Sequence, residues 1–471
     1  MGIGDGEMED KQRGGEDNGK AIEEEEEEKT TGGDGKVSNQ AVVVLPYELL
    51  MVEVLARLPA KSLMRFKCLS NLWCSTISQD HSFANAHRAR HSPSSRAGLF
   101  VTFPDADDSL RCFYTALPGG EDSISVPHQF TTTDCSSKYN GATEVVKNLI
   151  CLYAGNRSWI CNVSTREIRE LPSSSDLENA VLFTYFLGFV SSRKEYKLYK
   201  VCLVPRFSTS GVIRYYLRNC ELLTLGKDAS WRRPWSLCNS PKIDLQSGRP
   251  SVYIDGSLCY WKSICNLIVF NFEDESFQEI DRPPKASGSI YDERGSLLLQ
   301  FGGHFALVRV PDRLVNQRLE LWKLAWRNGH EQGSCEWINH VIDVPHDFPV
   351  GGFSFLGNLA LPAGDQMLLA GLLDVSNNMS AVPVYSYDHA KGKFEKFVIT
   401  KLPWWPPSSQ VASICRGHLN KFRVYYFEED ITPLHDLVIS NKDSSLTAAS
   451  CDEEKKKKKK KKKEEEKEKE Q

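Results

Sequence analysis

The stretch that decides the N-terminal fold is VLPYELLMVEVLARLPAKSLMRFKCLSNLW, residues 44–73. Pro46 suits the first turn of a helix, because the N–H that proline lacks has no intrahelical partner there. Apolar residues then recur at spacings of three and four up to Leu58-Pro59, and they give one broad apolar face. The pattern predicts a first helix that begins near Pro46 and ends at Leu58.

Two further short helices are predicted after Pro59. The second runs through Leu63 to Cys68, the third begins near Ser70, and residues 80–83 are expected to close the unit. Three short helices in about 45 residues make a core that is too small to be stable alone. Some of the apolar surface must therefore be covered by a partner or by the domain that follows.

These residues resemble the F-box, especially in its plant form. The chain carries both Leu-Pro pairs (45–46 and 58–59), Lys61-Ser62-Leu63, and Arg65-Phe66 followed by Trp73. The resemblance implies binding to a Skp-family adaptor, and through it to a cullin, with apolar helical residues seated in a groove of the adaptor. The adaptor-binding residues that it implies are Leu45, Pro46, Leu49, Leu50, Val54, Leu55, Leu58, Pro59, Leu63, Phe66 and Trp73.

The first helix departs from the F-box pattern by one residue. The interval between the two Leu-Pro pairs is one residue longer than usual, and the extra residue falls near Met51-Val52. One residue rotates a helix by about 100°. Either a π-type bulge absorbs this residue, or Leu45-Pro46 sits differently from the family norm.

The sequence pattern of residues 97–440 is typical of an all-β domain. A sequence unit recurs about every 50 residues, as in kelch-like blades. It consists of one strand, a polar turn, and an aromatic or aliphatic residue that opens a second strand. The units begin near Cys112, Trp159, Cys220, Leu267, Leu319 and Val384. The pattern predicts a six- or seven-bladed β-propeller, and a large irregular β-sandwich is the alternative.

This region also resembles the plant F-box-associated domain. Asn162-x-Ser164-Thr165-Arg166-Glu167-Ile168-x-x-Leu171-Pro172 is similar to that family's turn and strand signature. Gly188-Phe189 followed by Glu195-Tyr196-Lys197 is similar to its next strand pair. The resemblance is looser than that of the F-box.

No motif of an enzyme, a metal site or a cofactor site stands out. His304 follows two glycines and is expected to be a satisfied turn residue, and Glu273-Asp274-Glu275 reads as a hairpin turn. We expect a non-catalytic protein with no metal and no cofactor. Candidate target-binding residues are loop aromatics mixed with basic residues, because Trp and Arg dominate binding hot spots: Arg232, Arg233, Trp235, Trp404 and Trp405. Trp231 occupies the repeated position and is expected in the core.

The two ends of the chain are strongly charged. Residues 1–40 contain the acidic run 23–28, and residues 441–471 contain the lysine run 455–463 followed by a Glu/Lys mixture. Both are expected to be disordered, because they have too few apolar residues to offset their ordering entropy. The lysine run is either a solvated tail or a nuclear-import or polyanion-binding patch.

Composition sets limits on the function. The net charge of −4 does not favour nucleic acid as a partner, and no apolar stretch or leader predicts a membrane. The 14 cysteines lack paired spacing and are expected to be reduced core residues. We therefore expect a cytoplasmic or nuclear protein.

The chain is thus predicted to have an acidic tail (1–40), an F-box of three helices (42–90), a propeller-like domain (97–440) and a Lys/Glu tail (441–471). It is an α+β multidomain protein in this interpretation. Its predicted function is substrate recognition in a Skp–cullin–F-box ubiquitin ligase, with an unknown target protein. The alternatives are a kelch-like binding module that acts without the ligase and a nuclear polyanion-binding protein.

Overall fold

The computed structural model describes residues 46–92, 96–104, 110–116, 123–125, 128–129, 139, 141–173, 182–207, 213–234, 251–262, 266–283, 296–309, 318–326, 335–346, 366–370, 382–388, 391–400 and 423–438. The two charged tails lie outside these ranges. The described helices and sheets belong to one structural unit that begins at Tyr47.

The N-terminal region is helical. The helix α1 (Tyr47–Leu49) continues directly as a π-helical segment (Leu50–Val54) and a 3-10 turn (Leu55–Arg57), and these are followed by α2 (Ala60–Phe66), α3 (Asn71–Gln79) and α4 (His81–Arg90). None of the described helices is long and apolar enough to cross a membrane.

Helix α4 was not predicted. Residues 80–83, expected to close the unit, begin this helix instead, because Asp80 caps it by accepting a hydrogen bond from the N–H of Ser82 at 2.7 Å. Its buried side is small, with Phe83, Ala84 and His87 the buried residues. Because so few apolar residues line this helix, its sequence shows little of the periodicity from which a helix is predicted.

Six β-sheets follow in the described part of the chain. The first contains β1 (Ala97–Pro104), β2 (Leu110–Ala116), β4 (His128–Gln129) and β23 (Arg423–Glu428); the second contains β5 (Gly141–Ala142), β6 (Leu149–Ala154), β7 (Arg157–Asn162) and β8 (Ile168–Glu170); the third contains β9 (Leu182–Val190), β10 (Glu195–Phe207) and β11 (Ile213–Thr224). The fourth contains β12 (Val252–Ile254), β13 (Ser257–Trp261), β14 (Asn266–Asn271) and β15 (Phe277–Asp281); the fifth contains β16 (Ser296–Phe301), β17 (His304–Arg309), β18 (Arg318–Trp326) and β19 (Cys335–Asp343); the sixth contains β20 (Gln366–Ala370), β21 (Val382–Asp388), β22 (Lys393–Thr400) and β3 (Ser123–Ser125).

From the first sheet to the sixth, each consecutive pair of sheets shares a separate apolar core. The residue pairs that illustrate these five cores, in order around the domain, are Phe100 with Ile150, Cys151 with Leu187, Val201 with Phe270, Leu267 with Leu307, and Val308 with Tyr385. A sandwich would bury one core between two sheets, whereas a ring of blades buries one core at each junction. The prediction of a β-propeller is confirmed, with six blades in the described residues.

The ends of the propeller are joined by exchanged strands. Strand β23 from the end of the domain pairs antiparallel with β1, so that Tyr426 lies opposite Leu99. Strand β3 from its beginning pairs parallel with β22, so that Ile124 lies opposite Ile399. The first and last blades therefore each hold a strand from the other end.

Five of the six predicted sequence units begin on the third strand of their sheet, namely β2, β7, β11, β14 and β18, whereas the unit at Val384 begins on β21, the second strand of the sixth sheet. Trp159 on β7, Leu267 on β14 and Leu324 on β18 each lie opposite a residue of the outermost strand, for example Leu324 opposite Trp337. Gly188 and Phe189 pair with Lys197 and Tyr196, as the sequence predicts for that strand pair. Alternation within the strands therefore predicted the blades well.

The nine cysteines in the described residues are free thiols, and six of them are buried in the sheets. Burial raises the pKa of the Cys112 thiol to about 12. These six behave as small core residues, as predicted.

Candidate functional site

The helical region exposes most of the large apolar side chains that are exposed in the described residues. Six of nine lie here, and three lie on β18 and β19 of the fifth blade. We call the six residues the apolar helical patch: Tyr47, Leu49, Val52, Val54, Leu69 and Leu72. Leu69 and Leu72 are the most exposed, at 68% and 55%. So many exposed apolar side chains in one small module indicate a protein-binding surface.

The π-helical segment decides which residues of the first helix face outward. The N–H of Leu55 donates to the carbonyl oxygens of both Leu50 and Met51, so the turn widens by one residue. Met51 and Leu55 point into the core, whereas Val52 and Val54 stay exposed. Of the two alternatives for the extra residue, the π-type bulge is therefore confirmed.

The same segment is tied to the last helix through Glu53. The Glu53 carboxylate accepts hydrogen bonds from Arg90 of α4, the shorter at 2.7 Å, and from Arg57 at 2.7 Å. These bonds, that from Arg90 first, lower the pKa of Glu53 to about 2. The widened turn is thus held by a charge network at its polar side.

Most of the patch lies on the first helical segment, residues 47–54, and on α3, and these two lie side by side. The Tyr47 hydroxyl lies 2.8 Å from Oγ1 of Thr76 on α3. The Phe66 and Trp73 rings stack with centroids 5.1 Å apart, and this contact joins α2 to α3. The helix ends are also fixed, because Ser70 caps α3 by accepting from the N–H of Trp73.

The helices are attached to the propeller by residues 429–438, which we call the closing segment. Its Ile431 is buried in the helical core together with Met51, Leu55 and Leu63. Oε2 of Glu429 accepts a hydrogen bond from the N–H of Ala60 at 3.2 Å, at the start of α2.

Helix α4 also holds the closing segment. The Arg88 guanidinium donates to Oδ2 of Asp430 and, at 2.7 Å, to Oγ1 of Thr432. Asp430 also accepts from the Thr432 N–H and hydroxyl. The closing segment thereby completes the helical core.

The other side of the closing segment is bound by the second blade. The Asn162 amide donates to the carbonyl oxygens of Asp430 and Thr432, both at 3.0 Å. Ser164 and Glu167 accept from the N–H groups of Asp430 and Leu434. Since Leu434 is itself fully buried in the blade core, helices and propeller are joined by packing as well as by hydrogen bonds.

Comparison with known protein families identifies both parts of the molecule. Residues 98–415, more than half of the chain, match the family described as F-box associated beta propeller domain. Residues 44–85 match the F-box domain. The chain belongs to the F-box proteins with an F-box associated β-propeller domain. The resemblance found in the sequence is confirmed.

Individual relatives agree with this assignment. An Arabidopsis thaliana protein named as an F-box protein is 32% identical over 259 residues, which cover 52% of this chain and 62% of that protein, less than two thirds of its length. A second Arabidopsis thaliana F-box protein is 29% identical over 306 residues, covering 60% of this chain and 70% of that protein.

Among solved structures, the WD40 domain of SCAP from fission yeast matches 65% of this chain and 85% of its own length, at 9% identity. The TM-score of this match is 0.26.

Within the F-box, the predicted adaptor-binding residues divide into three groups. Pro46, Leu49, Val54 and Pro59 are exposed, and Leu50, Leu58, Phe66 and Trp73 are half-buried. Leu55 and Leu63 are buried in the helical core, and Leu45 lies outside the described residues. The exposed and half-buried residues are available to a partner, and their contact with an adaptor stays a prediction.

Four residues of the apolar helical patch were missing from the predicted set: Tyr47, Val52, Leu69 and Leu72. Leu72 lies three residues before Ser75 and five before the buried Ile77, off the apolar face of α3. Leu72 is an apolar residue on the polar face of an amphipathic helix, and this position could have identified it as an exposed contact residue. Leu69 precedes the Ser70 cap, where a side chain has no helix face to bury.

The F-box-associated signature turn has a mechanical role in this structure. Oδ1 of Asn162 accepts from the N–H groups of Ser164 and Thr165, which forms an Asx turn. That turn leaves the Asn162 amide nitrogen free to hold the closing segment described above. Arg166 completes the turn with a φ of 61°.

The predicted target-binding residues are only partly described. Trp235, Trp404 and Trp405 lie outside the described residues, and Arg233 is exposed. Trp231 packs against the core between the second and third blades and donates from Nε1 to the Pro172 carbonyl at 2.7 Å, as the prediction of a core position requires.

Arg232 takes part in a charge network between the third and fourth blades. Its guanidinium donates to both carboxylate oxygens of Glu275, at 2.6 and 2.8 Å, and buried Lys197 donates to the same group at 3.0 Å. Burial raises the pKa of Glu275, but the bonds from Arg232 and Lys197 outweigh it and the pKa is lowered. Arg232 therefore has a structural partner, and its contact with a target stays a prediction.

Sequence reasoning placed Glu273-Asp274-Glu275 in a hairpin turn, and the structure confirms this position between β14 and β15. It did not reveal that Glu275 points between blades. His304 likewise follows a turn of two glycines, where it opens β17 opposite Phe301.

A cavity of about 1010 Å³ opens between α4, the closing segment and the turns of several blades. Lys147 lies in it with its ammonium 3.5 Å from the centre of the Phe189 ring, and burial lowers the pKa of this lysine. The other charged residues of its lining are of both signs, among them Arg88, Glu144 and Asp255. This is a pocket of mixed charge at the F-box side of the propeller.

Proposed function

We propose that this protein is the substrate-recognition subunit of a Skp–cullin–F-box ubiquitin ligase. Its F-box would bind a Skp-family adaptor and its propeller would bind a target protein. The observation that carries the proposal is the apolar helical patch, which exposes six large apolar side chains on the module that matches the F-box domain. In this role the chain is a non-catalytic receptor, and the cytoplasm and the nucleus are its proposed locations.

The mechanism would be one of proximity. A receptor that holds an adaptor at one end and a target at the other raises the effective concentration of the target near the loaded ubiquitin. The link between the ends matters, since a flexible connection spreads the target over a larger volume. Here Ile431 and Leu434 anchor the closing segment in both parts at once, which supports a fixed geometry.

The direct test is binding of the purified full-length chain to a purified Skp-family adaptor, measured by isothermal titration calorimetry. Leu72→Asp places a charge in the apolar helical patch. Burying a leucine contributes about 1.5–3 kcal/mol, and every 1.4 kcal/mol corresponds to a tenfold change in affinity. We therefore expect at least a tenfold loss of adaptor affinity.

The matched control is Val341→Asp on the fifth blade. Val341 is 57% exposed and Leu72 is 55% exposed, so both substitutions add one charge at a site of equal exposure. The control should bind the adaptor as tightly as the wild-type protein. Equal binding by wild type and Leu72→Asp would refute the proposed adaptor surface, and no binding by either would favour a kelch-like module that acts without the ligase.

A further inference from the structure

Three side chains with metal-binding atoms meet where α4 reaches the closing segment. His81 is the first residue of α4, and His435 and Asp436 lie in a 3-10 turn (His435–Leu437) of the closing segment. One ligand atom from each lies within 4.8 Å of the other two. Nε2 of His81 is 2.6 Å from Oδ2 of Asp436, and Nε2 of His435 is 3.0 Å from Oδ1.

The backbone on both sides of this cluster is fixed. Asp80 caps the first turn of α4, and Leu434, next to His435, is fully buried. The carbonyl of Asp436 lies against Gly226, where a Cβ would come within 2.4 Å of its oxygen. The three side chains are roughly half-exposed, so they are free to adjust around an ion while their Cα positions stay in place.

Two imidazole nitrogens and one carboxylate oxygen form a donor set that zinc prefers. Zn²⁺ binds such ligands at about 2.0–2.2 Å and leaves a fourth position to water when the protein supplies three. Imidazole disfavours Mg²⁺ and Ca²⁺, which select oxygen ligands. The two imidazoles and the carboxylate would exchange their present hydrogen bonds, at 2.6 and 3.0 Å, for bonds to the ion.

We propose that His81, His435 and Asp436 form a Zn²⁺ site that clips the F-box to the propeller. The ion would add a third connection between α4 and the closing segment, beside the Arg88 ion pair and the burial of Ile431. The sequence predicted no metal site, because His81 and Asp436 are 355 residues apart and share no motif spacing.

The proposal is tested with the full-length chain after any affinity tag is cleaved and metals are removed with a chelator. Zn²⁺ affinity is measured by competition with a chromophoric chelator for the wild type, His81→Gln, His435→Gln, Asp436→Asn and the control His346→Gln. His346 is an exposed histidine of the propeller, away from the cluster in sequence. We expect one site in the wild type and the control, and at least a tenfold weaker affinity in each of the three cluster variants.

Two further readouts distinguish this site from adventitious binding by thiols. Co²⁺ substitution should give a spectrum without thiolate-to-cobalt charge transfer, since no cysteine belongs to the cluster. Amide hydrogen exchange in α4 should slow on adding Zn²⁺, but not Mg²⁺, in the wild type and not in His435→Gln. Zinc binding that survives all three cluster substitutions, or that leaves exchange in α4 unchanged, would overturn the proposal.

Discussion

The imidazole of His87 should make the attachment of the F-box sensitive to acid. His87 is 1% exposed, and its Nε2 lies 2.9 Å from the Leu58 carbonyl, to which it donates as a neutral ring. Burial is the main reason that its pKa falls from an ordinary value of 6.5 to about 4. Between these two values the unfolded chain binds a proton that the folded chain does not.

The sign and size of the effect follow from this difference. The stabilisation from neutral His87 is fully present above pH 6.5 and is lost as the pH falls towards 4. One pH unit of pKa difference is equivalent to about 1.4 kcal/mol, so the full loss is about 3 kcal/mol. That is a large part of the 5–15 kcal/mol by which typical proteins are stable.

The assay compares urea unfolding of the wild type and His87→Gln at several pH values from 4 to 7. Glutamine keeps a hydrogen-bond donor for the Leu58 carbonyl but does not titrate. The wild type should lose about 3 kcal/mol more than the variant over this range, whereas the exposed-site control His346→Gln should follow the wild type. Parallel pH profiles for the wild type and His87→Gln would show that His87 is not held neutral by burial.

Three further changes test the packing, each by the free energy of unfolding. Gly188→Ala would place a Cβ 2.4 Å from the Phe272 ring and should cost about 1–3 kcal/mol; wild-type stability would mean that the third and fourth blades are not packed this closely. Ile431→Ala removes most of a fully buried side chain from the helical core and should cost about 2–5 kcal/mol, with faster amide exchange in α2. If the destabilisation were confined to the propeller, Ile431 would not belong to the helical core. Glu275→Gln leaves buried Lys197 without its counter-charge and should cost about 3–5 kcal/mol, a loss that would be absent if the ammonium were solvated.

Local patterns predicted much of this fold. The F-box motif combines helix period, proline positions and caps within 30 residues, and the blades repeat strand and turn signals at short range. The π segment could be anticipated for the same reason, since one extra residue in a helix has few ways to be accommodated.

Long-range contacts could not be predicted in this way. Residues 429–438 mix polar and apolar residues without helical or strand periodicity, and nothing in their spacing shows that Ile431 is buried among helices formed far upstream. Glu275 has the appearance of an ordinary turn acid, although Lys197 and Arg232 lie on other strands and loops. Such pairings depend on the closed ring, which no short window of sequence contains.

The position of the closing segment has a consequence for synthesis of the chain. The contact between Ala60 and Glu429 spans 369 residues, so the helices leave the ribosome long before the segment that completes their core. At about 5–20 residues per second that interval lasts roughly 20–70 s. During it the core of the nascent F-box lacks Ile431, and a message truncated before residue 429 yields a chain without that part of the core. We therefore expect the F-box core to become complete only after β23 and the closing segment have been synthesised. Ribosome-bound chains stalled before and after residue 438 would show this as a difference in protease cleavage in α2.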